Sequence, residues 1–139
     1  MARPYIPGPL RTLVFERASG RCEYCLIHQD DMAMRHPIDH VTPIAHGGAT
    51  EPGNLALACV RCNLAKGTNL SGVDPLTGRI APLFNPRLQK WRRHFALAGA
   101  GIIGLTATGR ATVRLLRLND PRRAEERLRL QSIGRFPVE

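Results

Sequence analysis

The sequence predicts an α+β fold in which two cysteine pairs hold a small β-hairpin and a short helix together, with further helices towards the carboxyl end. Three observations support this prediction: two identically spaced cysteine pairs, a hairpin pattern between them, and helical periodicity on both sides. With 139 residues, the chain is one domain, or a small module with an extension. We divide it into an amino-terminal arm with a lead helix (1–20), a core (21–70) and a basic helical extension (71–139).

The elements of the amino-terminal half follow from apolar spacing and turn formers. Apolar residues from Pro9 to Ser19 recur with a helical period, which predicts the lead helix. Gly20 suits the left-handed backbone position that ends a helix. Ile38 to Ile44 and Leu55 to Ala58 predict the two strands of a hairpin, because turn-forming residues fill the wide loop between them. A short helix is expected from Val60 to about Thr68.

On the carboxyl side, the sequence predicts a linking loop followed by helices. Residues 69–84 are rich in glycine, proline and other turn formers, which is typical of a loop. Asn85-Pro86 suits the cap and first turn of a helix. One face of that helix is expected to carry three apolar side chains, Leu88, Trp91 and Phe95. After a glycine-rich stretch, helices are predicted at 108–118 and 122–130.

Two Cys-x2-Cys pairs are the most specific feature of the chain. Each pair turns tightly enough for both sulfurs to reach one ion, and four thiolates complete the tetrahedral shell of a structural Zn²⁺. Zinc would also support the thin core expected of a chain with only 5% aromatic residues. A redox role is the minor interpretation, and two disulfides would compete if the chain were secreted. The expected zinc ligands are Cys22, Cys25, Cys59 and Cys62.

The charge balance indicates a polyanionic partner. Lys and Arg number 20 against 11 Asp and Glu, which gives a formal net charge of +9. Nucleic acid is the natural partner of such a surface, and a basic surface that serves solubility alone is the alternative. No stretch approaches a membrane span and the amino terminus has no apolar signal-peptide core, so we expect a cytoplasmic protein without membrane contact.

Polar residues between the two cysteine pairs, and one directly after the second pair, suit the hydrolysis of a phosphodiester. His40 has an intrinsic pKa close to neutrality, as a general base requires. Asp39 offers an anionic oxygen and Asn63 a neutral one, and together they suit Mg²⁺ or Mn²⁺. Asn54 can both donate and accept hydrogen bonds, so it can tie the wide loop and orient the imidazole. Taken singly, Asp39 could pair with an arginine, and Asn63 could cap a helix.

Several segments agree with one known family in residue type, order and spacing. They are Asp39-His40-Val41-Thr42-Pro43, His46-Gly47-Gly48, Asn54-Leu55-Ala56-Leu57 and Cys59-x2-Cys62-Asn63-x2-Lys66. Over residues 22–67 the chain therefore resembles the HNH nucleases of the ββα-metal, or His-Me finger, superfamily. The resemblance implies a ββα-metal core with the cysteine zinc site, and metal-dependent cleavage of DNA that leaves a 3′-hydroxyl and a 5′-phosphate. It also implies a general base at His40, a loop-orienting amide at Asn54, and ligands for the catalytic ion at Asp39 and Asn63.

Other basic residues are candidates for contact with nucleic acid. Arg61 and Lys66 lie on the helix after the second cysteine pair, where they would face phosphates or simply solvent. His46 precedes two glycines and is either a turn residue or a phosphate contact. The basic segments 87–93 and 110–129 would hold DNA through its phosphates, without sequence preference.

We therefore expect an endonuclease that acts on DNA, with RNA left open as a substrate. The alternative is a catalytically silent zinc module that binds nucleic acid, although such a module needs neither Asp39 nor Asn63. A zinc adaptor for a protein partner is a third interpretation, and it predicts little salt-dependent affinity for DNA. The sequence identifies no protein partner or pathway, and it leaves open whether the protein is a monomer or a homodimer.

Overall fold

The computed structural model describes residues 5–138, so the first four residues of the predicted arm lie outside it. Helices alternate with three two-stranded antiparallel sheets, which confirms the predicted α+β class. None of the described helices is long and apolar enough to cross a membrane. In chain order, the elements are α1 (Gly8–Arg17), β1 (Ile38–His40), β2 (Leu55–Leu57), α2 (Val60–Lys66), β3 (Ser71–Val73), β4 (Ile80–Pro82), α3 (Trp91–His94), β5 (Phe95–Ala98), β6 (Gly101–Gly104), α4 (Ala107–Leu115) and α5 (Pro121–Ser132).

The lead helix α1 forms where it was predicted and packs on the hairpin. Its one fully buried side chain is Val14, which lies against Leu55 and Leu57 of β2. Gly20 takes the left-handed conformation expected after the helix, with a φ of 71°. The chain then enters the first cysteine pair at Cys22, so α1 leads directly into that pair.

The predicted hairpin and the helix after it are also confirmed. β1 and β2 pair antiparallel, with Asp39 opposite Ala56 and His40 opposite Leu55. Successive side chains of a strand point to opposite faces. In β1 this alternation buries Asp39 and leaves His40 partly exposed. α2 begins directly after Cys59 and ends at Lys66, as expected from the sequence.

The predicted linking loop at 69–84 is wrong, because this segment contains the β3–β4 hairpin. The strands have only three residues each, too few for an alternating pattern to stand out. A local side-chain turn closes the hairpin: Asp74 accepts hydrogen bonds from the Leu76 amide and the Thr77 hydroxyl. The Arg110 guanidinium of α4 binds both oxygens of Asp74, at 2.9 Å each, and so anchors the hairpin on that helix.

The helix predicted after Asn85-Pro86 is also wrong in extent. The Asn85 side chain accepts hydrogen bonds from the backbone amides of Arg87 and Leu88, as the predicted helix cap would, but the single turn that it caps does not continue into a helix. Only α3, four residues long, is helical here, and Phe95 already belongs to β5. The glycine-rich stretch that follows forms the β5–β6 hairpin. Leu88 is 83% exposed whereas Phe95 is 1% exposed, so the expected single apolar face does not exist.

The two helices predicted near the carboxyl end are confirmed as α4 and α5. With the β5–β6 hairpin they enclose one hydrophobic core that also contains the cysteines. Its largest members, by segment, are Tyr24 and Ile27 near the first cysteine pair, and Phe84, Phe95, Ile102, Leu116, Leu118 and Phe136 from the extension. The division of the chain into three segments remains a prediction, and this core joins two of them.

We predict that Ile102→Ala destabilises the protein by about 2–5 kcal/mol, because Ile102 is fully buried and its truncation leaves a cavity. The neighbouring Ile103 is the matched control, since it lies on the same strand and is 49% exposed. Ile103→Ala should cost less than about 1 kcal/mol. Urea unfolding of both variants measures the difference. Equal losses would contradict the burial of β6 against the core.

Candidate active site and cysteine cluster

The four cysteines converge at one buried point. Their Sγ atoms all lie within 4.8 Å of one another, and each is a free thiol. Within each pair, the second cysteine's backbone N–H donates to the first cysteine's Sγ at 3.4 Å, which gives both turns the same geometry. In the described part of the chain, no other group of at least three His, Cys, Asp or Glu side chains lies close enough together to hold a metal ion. Four thiol sulfurs with no oxygen ligand fit a tetrahedral zinc ion.

A buried arginine contacts this cluster from the extension. Arg123 of α5 is 5% exposed, and its Nη2 donates to Cys62 Sγ at 3.0 Å. Its Nη1 donates to the Leu116 carbonyl at 2.7 Å. Burial alone would lower the pKa of Arg123, but the neighbouring cysteine sulfurs raise it above its usual value. The guanidinium is therefore held beside the sulfurs as a positive charge.

Asp39 lies in a buried network with residues from both cysteine pairs. Its Oδ2 accepts a hydrogen bond from the Tyr24 hydroxyl at 2.9 Å, and Tyr24 lies between the first two cysteines. The Lys66 ammonium lies 3.1 Å from Oδ2 and 3.2 Å from Oδ1. Burial raises the pKa of the Asp39 carboxyl, although Lys66 and Tyr24 counteract part of that shift. The Lys66 ammonium thus balances the charge of the carboxylate, and Tyr24 and Lys66 together fix its orientation.

The position of Lys66 corrects the expectation that its ammonium would face phosphate or solvent. Lys66 is 2% exposed, and besides Asp39 it donates to the His40 carbonyl at 3.2 Å. It lies on α2 four residues after Cys62, where the helix turns that side chain towards β1. The cause is tertiary pairing, because α2 turns the Lys66 side chain inwards and the buried Asp39 carboxylate of β1 forms an ion pair with it.

His40 lies beside this network with its ring partly exposed. Its Nε2 is 2.9 Å from Thr50 Oγ1, in the wide loop between the strands. Among the described residues, no group hydrogen-bonds its Nδ1. Burial lowers the pKa of His40 below its ordinary 6.5, and Asp39 opposes that shift. Burial thus favours the neutral imidazole, which is the form that can accept a proton.

Asn54 ties the wide loop closed. Its Oδ1 accepts from the Thr42 amide at 2.8 Å, and its Nδ2 donates to the Thr42 and Ala49 carbonyls. These are the contacts that a loop-orienting amide requires, and its influence on His40 acts through the loop because the two side chains share no hydrogen bond. Gly48 packs against the same point, where a Cβ atom would lie 1.7 Å from the Thr42 carbonyl oxygen.

The remaining candidates occupy different surroundings. Asn63 is partly buried on α2 and its side chain makes no hydrogen bond within the described residues, so its amide oxygen is available. Arg61 pairs with Glu126 of α5 at 2.6 Å. His46 is exposed, and its ring Nε2 lies 3.0 Å from the Thr68 carbonyl, which ties the loop to the segment directly after α2.

Three residues at these sites were missed from the sequence. The position of Tyr24 could have indicated its role, because a tyrosine between two metal-binding cysteines is held in a fixed place beside the metal site. Thr50 carried none, since a threonine in a turn-rich loop is common. Arg123 looked like one charge among many on a basic helix, and only the packing of α5 on the cysteines distinguishes it.

We predict that Gly48→Ala opens the loop tied by Asn54, because the added Cβ cannot fit against the Thr42 carbonyl. The expected cost is about 1–3 kcal/mol of stability, together with faster proteolysis within residues 41–54. Gly53→Ala is the matched control in the same loop, since a Cβ there meets nothing within 4 Å. Thermal unfolding and limited proteolysis check both variants. Identical behaviour of the two would contradict the close approach at Gly48.

Comparison with known proteins agrees with this geometry. Residues 22–69 match the family model for HNH endonucleases. The chain is also similar to Septu protein PtuB of Bacillus thuringiensis, with 27% identity over 123 residues that cover 84% of this chain and 42% of that relative. The chain thus spans less than half the length of the relative, and no solved structure matches it significantly. The family match therefore identifies an HNH domain at residues 22–69, and the converging cysteines form a possible zinc site within it.

Proposed function

We propose that this protein is a metal-dependent endonuclease that hydrolyses DNA phosphodiester bonds, with His40 as the general base. The observation that carries the proposal is the partly exposed imidazole of His40 on the hairpin of an HNH domain, beside a buried carboxylate. The match to the HNH endonuclease family suggests nuclease activity on nucleic acid. DNA as the substrate, His40 as the general base and the nature of the products are our proposal.

His40 is arranged to take a proton from water. Thr50 occupies Nε2, which leaves Nδ1 as the nitrogen free of partners among the described residues. A neutral ring accepts the proton as water attacks the phosphorus. Breaking the bond to the 3′ oxygen then gives a 3′-hydroxyl and a 5′-phosphate. Asn54 supports this step indirectly, because it fixes the loop on which Thr50 lies.

Asp39 and Asn63 are the residues that would hold a catalytic divalent ion. One anionic and one amide oxygen suit Mg²⁺ or Mn²⁺, which keep several water ligands when few protein ligands are present. Such an ion would stabilise charge on the phosphate and on the leaving oxygen. Asn63 lies three residues before Lys66 on α2, hence on the side of the helix near Asp39.

The cysteine cluster is proposed to hold zinc in a purely structural role. Four thiolates close the coordination shell, so no position is open for water or substrate. Tyr24 and Lys66 both follow cysteine ligands closely in the chain and both contact Asp39. Zinc would therefore hold the two residues that orient the carboxylate.

The basic surface supports binding to a nucleic-acid backbone. A cavity of about 760 Å³ between α2 and the turn before α5 is lined by Arg61, Arg117 and Arg122 among others. Arg117 and Arg122 are exposed and make no side-chain ion pair with any described residue. Such arginines can bind backbone phosphates, so we expect the affinity for nucleic acid to fall steeply as the salt concentration rises.

A catalytically silent zinc module that binds nucleic acid is the second candidate, and one observation favours it. Lys66 already neutralises Asp39, which is the anionic ligand that the catalytic ion needs. DNA binding without cleavage in any divalent ion would support this candidate against the nuclease. Cleavage of RNA but not DNA would keep the chemistry and change the substrate.

We predict that His40→Ala lowers the rate of plasmid nicking in Mg²⁺ or Mn²⁺ by about 10²-fold or more, since a general base contributes that much. The fold and the zinc content should not change, because His40 is partly exposed and contacts no cysteine. His28→Ala is the matched control, as a histidine outside this site. Nicking by His40→Ala at the parental rate would exclude His40 as the base.

We also predict that the purified protein holds one zinc ion and that Arg123→Met binds it roughly tenfold to a hundredfold more weakly. The variant leaves a buried tetrathiolate without its contacting positive charge. Arg122→Met, an exposed neighbour on the same helix, should bind zinc like the parent. Competition with a chromophoric chelator measures both affinities. Equal affinity of the two variants would show that Arg123 does not compensate the sulfurs.

A further inference from the structure

Lys66 is a buried cation whose contacts within residues 5–138 include a single carboxylate. Its Nζ contacts both oxygens of Asp39, at 3.1 and 3.2 Å, and the His40 carbonyl at 3.2 Å. Lys66 and Asp39 are 2% and 5% exposed, so water screens their attraction weakly. Within the described residues, Asp39 is the one carboxylate that Lys66 contacts. The ammonium therefore occupies the carboxylate that the proposed catalytic ion would need.

A divalent ion and an ammonium cannot share this carboxylate without strong repulsion. Both would lie within a few ångströms of the same oxygens, and the repulsion between two cations increases in a buried environment. Binding of the ion at Asp39 must therefore displace the ammonium or be weakened by it. Tyr24 does not change this balance, because its neutral hydroxyl can donate to the carboxylate in either state.

The surroundings of Lys66 leave space for its ammonium to move. A cavity of about 260 Å³ is lined by Lys66, Val41, Thr42 and Asn69, and by residues of the extension. Asn69 donates its Nδ2 to the Lys66 carbonyl, and its Oδ1 has no partner among the described residues. Asn69 lines the same cavity as Lys66, so its Oδ1 is the candidate acceptor for a displaced ammonium.

We propose that Lys66 is an internal counter-cation that competes with the divalent ion for Asp39 and so sets the ion concentration at which the site fills. The inference rests on the proposed function, in which Asp39 is a ligand of that ion. Lys66 thereby keeps the ion site closed when divalent ions are scarce. A purely orienting role for Lys66 has the opposite consequence, since removing it would then weaken the binding of the ion.

The test measures Mn²⁺ affinity of the full chain without nucleic acid, by the electron paramagnetic resonance signal of free Mn²⁺. Lys66→Gln keeps an N–H donor for Asp39 and the His40 carbonyl and removes the charge. We expect Lys66→Gln to bind Mn²⁺ at least tenfold more tightly than the parent. Lys90→Gln is the matched control, because Lys90 is the chain's other lysine and is exposed. The double variant Asp39→Asn/Lys66→Gln should lose the gain.

Equal or weaker Mn²⁺ binding by folded, zinc-loaded Lys66→Gln would overturn the inference, as would a gain that persists in the double variant. If Lys66→Gln does not fold, the parent still provides a test. Lysine labelled with ¹³C and ¹⁵N gives signals from Lys66 and Lys90 only, and Mg²⁺ should shift the Lys66 signal alone. An unchanged Lys66 signal at saturating Mg²⁺ would also overturn it. The nuclease proposal fails separately, through the cleavage assay of His40→Ala.

Discussion

The convergence of four cysteine sulfurs is the constraint on which the rest of the structure depends. Each cysteine pair carries residues that hold the hairpin: Glu23, within the first pair, accepts the Leu57 amide of β2 and pairs with Arg87 of the extension. The second pair opens α2, which carries Asn63 and Lys66 towards β1. A small chain with few aromatic residues thus fixes two strands, a helix and part of the extension around one point, where a metal ion can add its binding energy to folding.

Two of the three buried Lys and Arg side chains that the structure describes lie against sulfur or carboxylate, and the third, Arg127, donates to backbone carbonyls and to Asn119. Arg123 lies against sulfurs, and Lys66 lies against Asp39, so each cation has an anionic or potentially anionic neighbour. An unpaired buried charge would cost several kcal/mol, which explains why neither appears alone. The two sites differ in consequence. At the sulfur site we propose no second cation that would displace Arg123. At Asp39, by contrast, Lys66 and the proposed divalent ion would compete for the same carboxylate.

Sequence reasoning succeeded where structure is local. The convergence of the cysteine pairs, the presence of the hairpin and the placement of α1, α2, α4 and α5 depend on near neighbours and were confirmed, although β1 ends at His40 and not at Ile44. It failed after Asn85, whose side chain makes the predicted cap contacts, because the capped turn does not extend into a helix and Phe95 enters the core from a strand. The burial of Lys66 could not be predicted, since it depends on a carboxylate distant in the chain. Much of the fold was therefore accessible, whereas the detailed network around the candidate base was not.

The shared core of the cysteine segment and the extension limits how such a protein can change over evolutionary time. Phe84, Phe95 and Leu116 pack beside the sulfurs, so the surroundings of the cysteine cluster are built partly by residues outside the matched family segment. Exchange of the extension for an unrelated one would strip apolar cover from the cluster. Descendants of this chain are therefore expected to diversify by paired substitutions on both sides of that contact, with the two segments inherited together.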